Sequence, residues 1–344
     1  MPPTGTPHDE LGHAVRFDHL DRLCDQRGLF EHADGLIPRE EHGYCTDDNA
    51  RLLVVMSNAA DVGVAHRLVR LSLDFVRSAQ APDGRVRNRM DITGRWTDDP
   101  TTEDCWGRAL WGLGTAANHH GNPTIRRWAH RAFATSVRQR SPWSRAMAFA
   151  AIGAAELLAV DPVDVQARLL LVDALAVIGP VPSGDWTWPE PRLRYANAAL
   201  AEAVIASAAA LHDDFALDRG LAMLGWLLDL ETRDGHLSVT GTAGRDAADD
   251  RAQFDQQPIE VAAMADACWR AYALTGDPRW ANGVTAAGAW FHGDNDTGAV
   301  MHDVDSDGGF DGLRVRGVNT NQGAESTLAF VSTMQRVGAL GVAP

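Results

Sequence analysis

The sequence predicts an all-α protein, a closed (α/α)6 toroid of six helical hairpins with an inner and an outer ring. Three observations predict it. Alanine-rich apolar segments with helical periodicity fill most of the 344 residues. The links between them alternate between short turns and long loops. The helix starts also fall into two alternating chemical types.

Twelve helices are expected, at 13–26, 47–62, 64–79, 102–119, 123–138, 143–159, 162–178, 191–212, 214–231, 258–275, 278–291 and 322–337. After the even-numbered helices the links are short. Three of them carry Gly121-Asn122-Pro123, Val160-Asp161-Pro162 and Gly276-Asp277-Pro278. Asn or Asp caps the coming helix and Pro suits its first turn. After most odd-numbered helices the links are long and rich in Gly, Asp and aromatics, at 27–46, 80–101, 179–190, 232–257 and 292–321. Hairpins that bury their apolar faces against neighbours close into a ring, and the long loops gather at one mouth. A two-domain helical solenoid is the competing architecture. The ring makes residues 1–344 one domain, and the segments 235–242 and 313–318 are short strands within loops.

Composition bounds the function. Net charge is −15, which argues against nucleic acid and against an anionic membrane surface. All 31 basic residues are arginines, as GC-rich coding produces. The most apolar segments, 149–160 and 169–180, are too short to span a bilayer. Residues 1–12 lack the pattern of a secretory leader. Cys24, Cys45, Cys105 and Cys268 fit neither a zinc motif nor a disulfide framework. A reducing, cytoplasmic setting is expected, with no cofactor and no metal.

The even-numbered helices open on polar and aromatic clusters. They are Tyr44, Asp47, Asp48, Asn49 and Arg51; Glu103, Asp104, Trp106 and Arg108; Trp143 to Arg145; Trp186, Trp188 and Tyr195; Asp255, Gln256, Gln257 and Glu260; Asn321, Gln322 and Glu325. Capping explains part of this, with Thr46 and Thr102 as N-caps and acids complementing the helix dipole. Capping does not require tryptophan or runs of amides. A polar cleft does: Trp and Tyr present flat apolar faces to sugar rings, while amides, acids and arginines bond hydroxyls. Trp111, Trp128, Trp226, Trp269 and Trp280 lie within helices and are expected in the core.

Glycoside hydrolysis needs two carboxyl groups flanking the scissile bond. Asp48 and Asp104, on adjacent inner helices, are the expected pair, with Asp255 as the replacement. Like charges at close range raise one pKa, while Arg51, Arg87 and Arg108 hold another acid ionised. Two other readings stay open. A sugar epimerase or isomerase on the same barrel would use histidine, with His42 or His236 as loop candidates. A non-catalytic glycan-binding module would use the same aromatics and amides. The loop at 303–311 begins like a calcium site, but Arg314 stands where the bidentate Glu belongs, so it reads as an acidic surface loop.

The segments HGYCTDDNAR (42–51), TEDCWGRALWGLG (102–114), FDQQPIEVAAMADAC (254–268) and NTNQGAESTLAF (319–330) resemble a glycosidase-like domain of the six-hairpin glycosidase superfamily. That domain is found beside or fused to bacterial glycosyltransferases. The resemblance spans nearly the whole chain and implies an (α/α)6 barrel, a carbohydrate ligand and a glycosyltransferase partner. Asp47-Asp48 and Asn321-Gln322-Gly323 also resemble the α-1,6-mannanase family, which uses adjacent aspartates. Tyr195-Ala196-Asn197 departs from related sequences, which carry Asp at the middle position.

Overall fold

The computed structural model describes residues 16–59, 63–182 and 184–341. The expectations for residues 1–12 and for the start of the first helix lie outside them. Twelve α-helices are present among the described residues: α1 (Asp18–Arg22), α2 (Thr46–Ser57), α3 (Gly63–Ala79), α4 (Asp104–His119), α5 (Pro123–Ser136), α6 (Ser144–Val160), α7 (Val165–Ile178), α8 (Asn197–Leu211), α9 (Asp214–Leu230), α10 (Pro258–Thr275), α11 (Pro278–Phe291) and α12 (Ala324–Leu340). The even helices form the inner ring. Each packs on the next, and α12 returns to α2. Outside them α3 lies on α2, α5 on α4, α7 on α6, α9 on α8, α11 on α10, and the short α1 on α12. The sixth hairpin is therefore made by the two ends of the described chain. This is the (α/α)6 toroid.

The sequence distinguishes the rings. Inner α8 is buried without interruption from Asn197 to Ala208, because both its faces meet protein. A helix apolar on all sides is a buried helix. Outer α3 instead buries one stripe, Leu68, Val69, Ser72, Leu73, Phe75 and Val76. One core cluster runs from Leu20 to Met334 around the ring. The tightest inner contact, α4 on α6, depends on glycine. A Cβ at Gly114 would lie 2.0 Å from the carbonyl oxygen of Gly153, and one at Gly107 would lie 2.2 Å from that of Ala146.

Several boundaries differ from expectation. Asn122 and Asp277 do cap α5 and α11, accepting from the backbone N–H of Thr124 and Arg279. The cap of α7 is Asp164, not Asp161, so the helix starts after Pro162 rather than on it. Helix α8 starts at Asn197 rather than 191, because Ala196 takes a left-handed backbone (φ 46°) that cannot continue a helix. The expected strands shrink to two-residue ladders, His236–Leu237 with Thr232–Arg233 and Gly312–Leu313 with Val318–Asn319. No helix of the described residues is long and apolar enough to cross a membrane.

Candidate active site

The long loops and the N-termini of the inner helices enclose a cleft of about 770 Å³. Eight carboxylates line it: Glu31, Asp47, Asp48, Glu103, Asp104, Glu190, Asp311 and Glu325. Five arginines answer them, Arg51, Arg89, Arg108, Arg145 and Arg194, beside His32, Trp143, Tyr195 and Gln257.

The start of α2 is built by its neighbouring loop. A two-residue ladder joins Tyr44–Cys45 to Arg89–Met90. It carries Asn88 over the helix start, where its Oδ1 accepts from the backbone N–H groups of Thr46 (3.1 Å) and Asp47 (3.3 Å). Cys45, not Thr46, is the N-cap, its Sγ accepting from the N–H of Asp48. Thr46 is the first helical residue and its hydroxyl donates to the Arg87 carbonyl at 2.6 Å. Thr102 is likewise not a cap: α4 starts after Glu103.

This start sends two consecutive aspartates into different surroundings. Asp48 is 3% exposed. It accepts from Arg51 Nη1 at 2.6 Å and from the Cys45 thiol at 3.0 Å. Burial pushes its pKa up to about 6 despite Arg51. Asp47 turns to the cleft. Its Oδ2 accepts from Asn88 Nδ2 at 3.0 Å and its Oδ1 lies 3.5 Å from Arg108 Nε. Burial raises it too, against Arg108 and Arg51.

Asp104 meets the same arginine from α4, 3.7 Å from Arg108 Nη2. The Tyr195 hydroxyl donates to it at 2.9 Å. Asp48 and Asp104, the expected pair, both line the cleft, but it is Asp47 that shares Arg108 with Asp104, while Asp48 is paired with Arg51. Arg108 itself lies over the Phe149 ring at 4.2 Å, which fixes the guanidinium between the two acids. Glu325 on α12 receives Arg51 Nη2 at 2.6 Å. Burial would raise its pKa, but Arg51 and Arg108 prevail and lower it. Asp255 is corrected as well. It lies outside the cleft lining, its side chain 48% exposed, with Arg314 Nε at 3.8 Å.

Across the cleft, Arg145 holds the wall together. It donates to Glu190 Oε1 at 2.8 Å, to Asn197 Oδ1 at 3.2 Å and to the Tyr195 carbonyl, and it lies over the Tyr195 ring. Glu260 is not a cleft wall. From α10 it accepts the N–H groups of Ala196 and Asn197, and so caps α8, whose N-cap residue Ala196 has no hydrogen-bonding side chain. Burial, and then Glu231, push its pKa up to about 8. Trp143 stands 60% exposed at the rim.

Other expected site residues serve the scaffold. Tyr44 is fully buried and donates to Asp25 at 2.7 Å. Asn49 is buried and ties α2 to the Leu29 backbone. Trp106 is fully buried with its indole N–H on the Ser136 carbonyl. Trp188 is fully buried on Trp226, and Trp186 meets the same ring edge-on. Gln256 bonds Asp296 and Trp290. Gln322 bonds Ser306 and Asp303. Asn321 accepts from the Gly35 N–H. Arg87 is outside the lining, and its carbonyl serves Thr46. Sequence reasoning missed Glu31, His32, Arg89, Arg194 and Asp311. These come from loops, where no periodicity marks the inward side.

Glu31, Cys45 and Asp48 carry potential metal-ligand atoms within 4.8 Å of one another. Arg89 and Arg51 already engage the two carboxylates. In the loop at 303–311, Asp303 is taken by Gln322 and Asp307 by Arg16. All four cysteines are free.

No protein-family model matches the chain, and no curated protein matches it. Solved structures do resemble it. A sugar epimerase from a ruminal bacterium superposes with a TM-score of 0.74 at 14% identity over 98% of each chain. A glycoside hydrolase family 76 alpha-mannanase from Bacteroides thetaiotaomicron gives 0.65 at 12%, over 98% of this chain and 99% of that one. An alpha-1,6-mannanase of Salegentibacter in complex with alpha-1,6-mannotetrose gives 0.64 at 11%, over 97% and 98%. At these identities the likeness establishes a shared fold, one that carries both hydrolases and epimerases.

Proposed function

We propose that the chain is a glycoside hydrolase that cleaves a bacterial oligo- or polysaccharide in this cleft. One observation carries the reading: Asp47 and Asp104, from adjacent inner helices, open on the cleft from either side of Arg108. Burial favours a proton on Asp47, which suits it to protonate the leaving glycosidic oxygen. Asp104, oriented by the Tyr195 hydroxyl, is the second carboxylate, acting on water or on the anomeric carbon. Asp48 backs this pair through Arg51.

The mannotetrose-bound mannanase is an inactive variant with two consecutive aspartates replaced by alanine. Asp47 and Asp48 are likewise consecutive, which supports an α-1,6-mannan among the substrates to try. A glycosyltransferase partner, a cytoplasmic location and a single-domain organisation belong to the same proposal and rest on the sequence.

The test is Asp47→Asn and Asp104→Asn against a polysaccharide panel that includes α-1,6-mannan. Full activity in both overturns the assignment. An epimerase is the second reading, favoured by the epimerase neighbour. Its histidine base would have to be His32, since His42 and His236 lie outside the cleft lining and His236 pairs with Asp296 at 3.2 Å. A new epimer without hydrolysis product establishes that reading. Saturable oligosaccharide binding without turnover establishes a binding module.

A further inference from the structure

The barrel has a second mouth, on the side of the short turns. There the C-terminal halves of all six inner helices enclose another cavity, of about 470 Å³. Between the mouths lies a smaller space of about 40 Å³, lined by Val55, Phe149, Ala199 and Leu328 and by Arg108 and Glu202. The second cavity shares no lining residue with the cleft.

Its carboxylates are held by arginines. Arg270 donates from Nε to Glu202 at 2.9 Å and from Nη2 to Glu156 at 2.8 Å. Arg336 donates to Asp266 at 2.6 Å. Arg168 engages the Pro162 carbonyl. Three carboxylates stand against three guanidiniums, with His119 on Glu156 at 2.8 Å, so the cavity offers directional donors and acceptors and no large excess of either charge. Asn58, Asn118, His119 and His212 line it as well. Trp111 and Trp269 contribute apolar ring surface, and alanines on α6, α8 and α10 keep the space open.

The structure assigns this cavity as a binding site for a neutral saccharide of one or two rings, held apart from the cleft. A polyhydroxylated ring both donates and accepts, and it has an apolar face for tryptophan. An ion of either sign would have to compete with carboxylates and arginines that already engage one another. The assignment goes beyond the proposed hydrolase and does not depend on what the cleft catalyses.

The test follows the indole N–H resonance of Trp269, which lines this cavity and not the cleft. Trp269→Phe identifies the signal. Cellobiose and α-1,6-mannobiose are the neutral probes, and glucuronate and glucose 6-phosphate the anionic ones. A saturable shift with a neutral disaccharide is expected, kept in Asp47→Asn and weakened roughly tenfold or more in Ala209→Trp, which fills the cavity from α8. Ala273→Trp fills it from α10 and serves if the first variant does not fold. No shift with either disaccharide, a shift with the anions alone, or binding unchanged in the filled variant each overturns the assignment. Loss of hydrolysis in Asp47→Asn with the Trp269 shift intact separates this site from the cleft.

Discussion

Arg51 Nη2 on α2 lies 2.6 Å from Glu325 Oε2 on α12, across the seam where the first and last inner helices meet. The same guanidinium holds Asp48 at 2.6 Å through Nη1. One side chain thus bridges the seam of the ring and holds Asp48 in the cleft lining. Arg51 and Asp48 have side chains only 8% and 4% exposed.

Arg51→Met leaves Asp48 buried without its cation. Removing one partner of a buried ion pair costs about 3–5 kcal/mol. A clear fall in Tm is expected, with a further rise of the Asp48 pKa from about 6, since Arg51 is what now opposes burial. Thermal melts at neutral pH check the first. A variant as stable as the wild type would mean that the seam does not depend on this bridge.

The buried acids make stability depend on pH in a stated direction. Glu231 is 1% exposed and its Oε1 accepts from the Thr240 N–H and hydroxyl. Burial raises its pKa from 4.5 to about 7, against those two bonds. A carboxyl raised in the folded state stabilises fully below its unfolded pKa and loses that contribution as pH rises through the folded value. Stability therefore falls between about pH 4.5 and 7 on account of Glu231, by about 3 kcal/mol. Glu231→Gln keeps the acceptor oxygen and cannot ionise. It should match the wild type at pH 4 and exceed it at pH 8 in urea titrations. Parallel curves for the two proteins would refute this.

Tyr195→Phe removes the hydroxyl that orients Asp104 and leaves the ring under Arg145. Under the hydrolase reading kcat should fall about tenfold, the value of one hydrogen bond to a carboxylate, with KM nearly unchanged. Asp255→Asn is the control. Its side chain is half exposed and off the cleft, so kcat/KM should stay at the wild-type value. Strong loss in that control would move the chemistry away from Arg108.

The ring was legible in the sequence because alternation is a local signal: short capped turns on one side, long loops on the other. The rim was legible helix by helix, since Asp47, Glu103, Asp104, Arg108, Tyr195 and Glu325 stand within a turn of inner-helix N-termini. Which of the neighbours faced inward was not. Tyr44, Asn49, Trp106 and Gln256 are the same residue types one or two positions away, and they anchor loops instead. The choice between Asp47 and Asp48 depended on Asn88, which lies about forty residues on and caps α2 only after folding. Glu31, His32 and Asp311 reach the cleft through tertiary loop placement. Ala196 looked like a lost functional residue, and it is a left-handed turn held from a distance by Glu260.

The two tryptophans nearest these clusters separate binding from stability. Trp143 is 60% exposed at the rim, so its removal takes little from the core. Trp143→Ala should leave Tm unchanged and raise KM about tenfold with kcat kept, since a ring face under a sugar contributes on the order of 1 kcal/mol. Trp106 is fully buried and bonded to the Ser136 carbonyl. Trp106→Ala should cost about 3–5 kcal/mol, whatever the substrate. Steady-state kinetics and melts on both variants distinguish the two roles. An unchanged KM in Trp143→Ala would remove the rim tryptophan from substrate binding, and with it the argument that the exposed aromatic is there for a sugar.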